Sequence, residues 1–183
     1  VATKTFDGGT ALKQALDRIA KNVTKKAQVS IGWFEDAKYP ANQGGQPVAM
    51  VAAIQEFGAP RAGIPPRPFV RTLIAKESGN WGPVLAQQLK HNKYDARIAL
   101  TALGIVIAEQ LQQSIIDVNS PPLSKITLML RKMKSKDQSL VVTGKTVGEA
   151  ARRVAAGESV DGVNTKPLDD TGHMIRSIGH VVE

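Results

Sequence analysis

The chain has no cysteine among its 183 residues. Disulfides, thiolate metal sites and cysteine nucleophiles are thereby excluded, and assembly in a reducing cytosol fits. Aromatic residues are scarce at 4%, against 42% hydrophobic residues overall, so a core of domain size must be built mainly from Ala, Val, Ile and Leu. No apolar run approaches the ~18–20 residues that cross a bilayer. Val1-Ala2-Thr3-Lys4-Thr5-Phe6-Asp7 lacks the apolar centre of a signal peptide. A soluble chain with no membrane partner, not exported by the usual route, is expected. His91, His173 and His180 are the three histidines, and neither their spacing nor their neighbours suit a metal. There is no Gly-x-Ser-x-Gly elbow. No cofactor, metal or catalytic residue is expected.

Positive charge is what the chain has in excess. It carries 24 Lys and Arg against 16 Asp and Glu. Such a balance attracts nucleic acid, acidic membranes and acidic proteins alike. The densest stretch holds Lys125, Arg131, Lys132, Lys134, Lys136, Lys145, Arg152 and Arg153, opposed within it by Asp137 and Glu149. It reads as a solvated face, a contact for duplex DNA without base readout, or a contact for an acidic partner. It has no aromatic residue, so stacking on single-stranded bases is not expected.

Periodicity outlines the elements. Asp7-Gly8-Gly9-Thr10 is a turn, and Leu12, Leu16, Ile19 and Val23 then mark one face of a helix over 10–26, expected to pack on a sheet. Residues 28–34 alternate as a strand, with Val29, Ile31 and Trp33 on one face. Residues 36–47 form a Gly/Pro/Asn-rich loop, and residues 48–57 a short helix that Gly58 can cap. A second short helix runs from Pro68 to Gly79. Pro83 suits the first turn of a long helix reaching Asp117, which His91-Asn92-Lys93 can break. Asn119-Ser120-Pro121-Pro122 stops that helix, and Ser124 caps another through Met133. Residues 140–143 read as a short strand, 146–156 as helix, and 171–178 as a turn or short helix entering a terminal strand. The fold class expected is α+β: a small, mainly antiparallel sheet packed by the N-terminal helix and the long helix. One domain over 1–183 is expected, with 125–165 as a basic arm or insertion.

Two triplets invite chemistry. Gly144-Lys145-Thr146 resembles the end of a phosphate-binding loop, but Ser139 stands where that pattern needs glycine. A turn starting a helix is the better reading. Asp170-Thr171-Gly172 matches the aspartic-protease triplet, which needs two apposed aspartates and a hydrophobic strand. A turn in which Asp170 or Thr171 bonds the backbone is the better reading there.

The most informative stretch is Gln55-Glu56-Phe57-Gly58 followed by Ile64-Pro65-Pro66-Arg67-Pro68-Phe69-Val70-Arg71. Its prolines stiffen a loop without metal or disulfide. Glu56, Phe57, Gly58, Pro65, Pro66, Arg67, Pro68, Phe69 and Arg71 form the candidate partner interface. Phe69 between Arg67 and Arg71 is an interface anchor on one reading and packs inward on the other. Phe57 is expected in the core.

Val48 to Gly58 with Pro65-Pro66-Arg67-Pro68-Phe69, then Asn119-Ser120-Pro121-Pro122-Leu123-Ser124, then Lys166-Pro167-Leu168-Asp169-Asp170-Thr171-Gly172 through Ile178, together resemble the small neck and tail-completion proteins of long-tailed bacteriophages. The likeness runs from about residue 28 onward. It implies a structural virion protein, not an enzyme, assembled in the host cytoplasm into a ring of identical subunits, six in number, around the DNA channel. The partners it implies are the head–tail connector, the tail tube or terminator, and non-specific contact with packaged double-stranded DNA. The alternative, carried by charge, is a sequence-independent DNA-binding protein; a hydrolase built on Asp170 is remote.

Overall fold

A computed structural model of the chain describes residues 9–23 and 26–183. The expected turn at Asp7-Gly8, the N-terminal leader question and the last residues of the first predicted helix lie outside the described residues. The elements run α1 (Gly9–Val23), β1 (Val29–Gly32), α2 (Val48–Phe57), α3 (Phe69–His91), α4 (Ala96–Asp117), α5 (Lys125–Lys136), α6 (Gly144–Ala155), α7 (His173–Arg176) and β2 (Gly179–Val182). The described residues are mostly helical, with one two-stranded sheet among them, β1 beside β2. The exchange of backbone bonds between Gln28 and Glu183, both 3.1 Å, makes the pairing antiparallel.

The chain divides into two compact units. The first gathers the residues up to Ile31, Lys76–Ile107 and His180–Glu183. Its core side chains lie on α4: Ala99, Leu103 and Ile107. Gly104 lies one residue on from Leu103, and a Cβ there would stand 2.9 Å from the His180 ring and 3.0 Å from Val29. The missing side chain lets α4 press directly on the two strands. Between α3 and α4 the chain reverses through Lys93 (φ 53°) and Tyr94 (φ 62°). Tyr94 N–H closes back onto Leu89 O at 2.7 Å, as helix C-caps do. Asp95 then opens α4 by accepting from the N–H groups of Arg97 and Ile98.

Three expectations need correction in this part of the chain. α1 does not bury its apolar face: Leu12 and Leu16 are 62% and 56% exposed. The break at 92–95 is real, but the break expected between Gly79 and Pro83 is not, because α3 runs unbroken through both. Proline in a helix clashes with the Cβ of the residue before it and with the carbonyl four residues back. Here Gly82 precedes it, so the first of these clashes is absent. Finally, the 22-residue α4 is long and apolar enough to cross a bilayer by length and composition, where no such run was expected. One side of it, from Ala99 to Ile115, is buried in the protein, while Ile98, Ile105 and Ile116 are exposed.

The second unit comprises Gly32–Ala75 and Ala108–Gly179. Its centre is Phe69, fully buried, with Val48, Ile115, Met129 and Met174. The Trp33 ring meets Phe69 edge-on at 6.0 Å and donates its indole N–H to Met174 O at 2.8 Å. The 36–47 loop is a folded hairpin: Lys38 bridges Pro47, and Tyr39 N–H donates to Gln46 O. α5 packs on α6. Ser124 caps α5 through Thr127 N–H, and Thr143 with Thr146 forms a capping box that opens α6. Residues 140–143 are not a strand; Val141 and Val142 are exposed in the lead-in to that cap. A lone β-rich tetrapeptide with no sheet edge to join has nowhere to place its backbone groups except water and the cap.

Substituting the two helical glycines should separate space from propensity. Gly79→Ala has nothing within 4 Å of the new Cβ and should raise stability by up to about 1 kcal/mol. Gly104→Ala should lower it, overpacking of about 1–3 kcal/mol outweighing the same propensity gain. Urea melts of both variants check this; a stabilised Gly104→Ala would show that the strands are not held against α4.

Candidate functional site

The proline clamp is held from both ends. Gly58 ends α2 at φ 77°, where a Cβ would come within 2.8 Å of Pro66 N and 2.9 Å of Ile64 O, so only glycine fits. A 3-10 turn at Pro60–Ala62 and a bridge between Ala59 and Ile64 close the loop. Arg67 N–H then donates to Gln55 O at 2.7 Å. Pro65, Pro66 and Pro68 are exposed on its outside.

Several residues of this stretch sit otherwise than the interface reading requires. Glu56, Arg67 and Phe69 are buried, at 4%, 4% and 0% exposure, so none is a surface anchor, and Phe69 follows its inward reading. Phe57 is 66% exposed and outside the core. The Arg71 guanidinium lies 5.2 Å over the Phe57 ring, a cation–π contact on the surface. The helical phase of α2 explains the exchange: Val48, Ala52 and Glu56 share its buried stripe, and Phe57 falls one position past it.

Glu56 is the buried acid. Its carboxylate accepts from Val70 N–H at 2.8 Å, Arg71 N–H at 3.2 Å and Arg71 Nε at 2.8 Å. It therefore caps the first turn of α3 from a neighbouring helix and lies at the positive end of that helix dipole. Arg71 returns a bond to Glu56 O at 2.9 Å.

Arg67 is the buried base. Nε donates to Pro121 O at 3.1 Å, Nη1 to Gln55 Oε1 at 3.0 Å and Nη2 to Pro122 O at 3.4 Å. A Pro–Pro pair offers carbonyls and no N–H, so a guanidinium suits it. All these acceptors are neutral. Burial, and then the charge of Arg131, pull the Arg67 pKa down from its ordinary value.

Arg131 holds the third segment. Its Nε lies 3.2 Å from Asp170 Oδ1, and its Nη1 donates to Asn164 O and Lys166 O. Asp170 is thus fixed by an ion pair and not by its own backbone. Thr171 contributes its backbone carbonyl, which accepts from the Arg176 side chain, and not the side-chain bond that was expected. His173 Nε2 lies 2.9 Å from Lys38 O, and its ring tilts against Tyr39 at 4.9 Å. The Tyr39 hydroxyl is pushed up by burial and, secondarily, by Asp170, so it stays protonated.

Of these groups Tyr39, Arg67, Arg131, Asp170 and His173 line a pocket of about 640 Å³ within the second unit. Gln55, Pro65, Arg67, Pro122, Leu123 and Asp170 bring to it all three segments that were singled out in sequence. Tyr39, Thr127, Lys134 and His173 complete its polar wall. Sequence reasoning missed the pocket because its members are scattered over more than 130 positions. The one readable hint was an arginine boxed by prolines, which is costly to leave in water-facing disorder and easy to bury against carbonyls.

The basic stretch is more neutralised than it looks. Arg131 pairs with Asp170, Lys132 with Glu158, and Arg152 and Arg153 with Glu149, Arg153 also reaching Glu158. The second shared carboxylate, Glu158, lay just beyond the interval counted in sequence. Among the described residues Lys125, Lys134, Lys136 and Lys145 have no carboxylate partner. Gly144-Lys145-Thr146 starts a helix whose first N–H groups are capped by Thr143. Among the described residues no three His, Cys, Asp or Glu gather as metal ligands.

Truncation should distinguish the two phenylalanines. Phe69→Ala is expected to cost about 3–5 kcal/mol, and Phe57→Ala less than about 1 kcal/mol of stability. Glu56→Gln should cost roughly 1.5–3 kcal/mol, because two helix N–H groups and Arg71 lose a charged acceptor. Thermal and urea melts measure all three; equal losses for the two phenylalanines would contradict the burial described. No protein-family model, curated protein or solved structure matches the chain.

Proposed function

We propose that this chain is a structural subunit that closes into a homo-oligomeric ring, of the neck or tail-completion kind found in long-tailed bacteriophages, where it joins the head connector to the tail. The observation that carries the assembly reading is α1. A helix with an apolar stripe at helical spacing, yet with Leu12 and Leu16 mostly in water, lacks the burial that normally stabilises such a helix. A neighbouring copy would supply it. Phe57 under Arg71 adds an aromatic–arginine pair of the sort that anchors interfaces. The phage assignment rests on the three sequence segments, and their convergence on one pocket is what supports reading them as a unit. Head-to-tail contacts between identical chains close into a ring when the rotation permits. The finer assignments (six copies, a virion location, contacts with tail tube or terminator) follow the same resemblance.

A second reading is favoured by the four lysines without carboxylate partners. Facing a channel, Lys125, Lys134, Lys136 and Lys145 would contact DNA phosphates without reading bases. If the chain is a DNA-binding protein in its own right, log affinity for duplex DNA should fall linearly with log salt, by about 0.9 per phosphate neutralised. Salt-independent or absent binding removes this alternative.

The ring reading is checked by native mass measurement and by reconstruction of assembled particles. Six copies of 19.6 kDa give roughly 118 kDa. Leu12→Glu combined with Leu16→Glu should leave the melting of the isolated chain unchanged and abolish the ring. Particles containing a single copy, an open filament, or a ring that tolerates both substitutions would each refute it.

A further inference from the structure

The pocket of the second unit has a charge imbalance that its own fold does not resolve. Three cations line it, Arg67, Arg131 and Lys134, against one carboxylate, Asp170. Asp170 is already engaged by Arg131. Arg67 is 4% exposed, lines the cavity, and meets only carbonyl and amide oxygens. Three of its five N–H groups are accounted for by those bonds, so the fork retains donors. A buried cation satisfied only by neutral acceptors is stabilised markedly by an anion at hydrogen-bond distance. Tyr39, protonated, and Thr127 add hydroxyl donors on the same wall.

The rest of the lining selects the kind of anion. Val51, Ile64, Pro65, Leu123 and Met174 give the cavity an apolar side. A duplex presents its phosphates on a rigid convex cylinder and meets surface cations, not a guanidinium recessed in a cleft. A glutamate or aspartate on an extended polypeptide reaches inward on a flexible stem while its neighbours cover apolar wall. We infer that this pocket is a carboxylate-recognition site that takes an acidic side chain from an extended segment of a partner protein, with Arg67 and Arg131 as its charged floor and Lys134 at its edge. The site is contained in one chain, so it does not depend on the ring.

The test uses the full chain labelled with ¹⁵N-arginine and two fluorescent peptides, one alternating Glu with Leu and one alternating Gln with Leu. The Glu peptide should shift the guanidinium signals of Arg67 and Arg131, and the Gln peptide should not. Arg67 and Arg131 also hold loops, so the variant chosen is Lys134→Glu, which touches no loop carbonyl. It should weaken the Glu peptide at least tenfold without moving the melting temperature. Equal binding of both peptides, an unmoved Arg67 signal, unchanged affinity in Lys134→Glu, or a 20-base-pair duplex that shifts the same signals at lower concentration would each overturn the inference. A chain that stays monomeric and still binds the Glu peptide leaves the site standing while the ring reading falls.

Discussion

Arg67 ties together stretches of chain that would otherwise have no reason to meet. One planar group bonds the end of α2 through Gln55 and the Pro121-Pro122 stop between α4 and α5. Its own backbone is pinned to Gln55 and leads directly into Phe69. Phe69 in turn carries the Trp33 edge contact and gives its carbonyl to Ser114 Oγ at 2.7 Å. The clamp is therefore oriented inward. Its prolines fix the direction in which Arg67 leaves the loop, and the fork is effective only because that direction is fixed. A lysine could supply charge but not three divergent bonds in one plane.

Glu56 and Arg67 lie eleven positions apart with opposite charges, yet they do not pair with each other. Each is assigned to a different polar problem: Glu56 to the uncapped start of α3, Arg67 to carbonyls that proline leaves without local donors. Burying an ion against fixed dipoles in this way gives orientation at a site where apolar packing would give only adhesion. The same division appears in the basic helices, where Glu149 and Glu158 each serve more than one cation and leave the remaining lysines to solvent.

Much of the local structure was legible. The α2 bounds, the Ser124 cap and the short α7 before the last strand follow from strong local signals such as an apolar run ended by glycine and a serine before an amphipathic stretch; the body of α6 was legible too, but its Thr143 cap was hidden in a tetrapeptide that reads as strand. What was not legible depended on partners distant in sequence. The exposure of Phe57 turns on the phase of α2, whose buried stripe is Val48, Ala52 and Glu56, and the choice of the inward reading for Phe69 turns on partners such as Trp33. Continuity of α3 through Pro83 is eased by Gly82 before it, a residue whose usual meaning is a stop. The exposure of α1 breaks the rule that an amphipathic helix packs on its own sheet, and its hydrophobic pattern gave no warning. The tail of the candidate pocket, Asp170 to His173, was read as a turn; its charged wall needed Arg131, nearly forty residues away.

The pairing of Gln28 with Glu183 joins positions 155 apart. On the ribosome, β1 emerges before β2 and must wait for it, because β2 follows every other described element. Until then one side of α4 around Gly104 has no strand pair to receive it. Closing so long a loop is entropically costly and slow compared with forming the helices between its ends. Between the two strands the nascent chain thus has its helices formable and its sheet unmade. The first compact unit can be completed only by the last four residues described, and its appearance reports that synthesis has passed them.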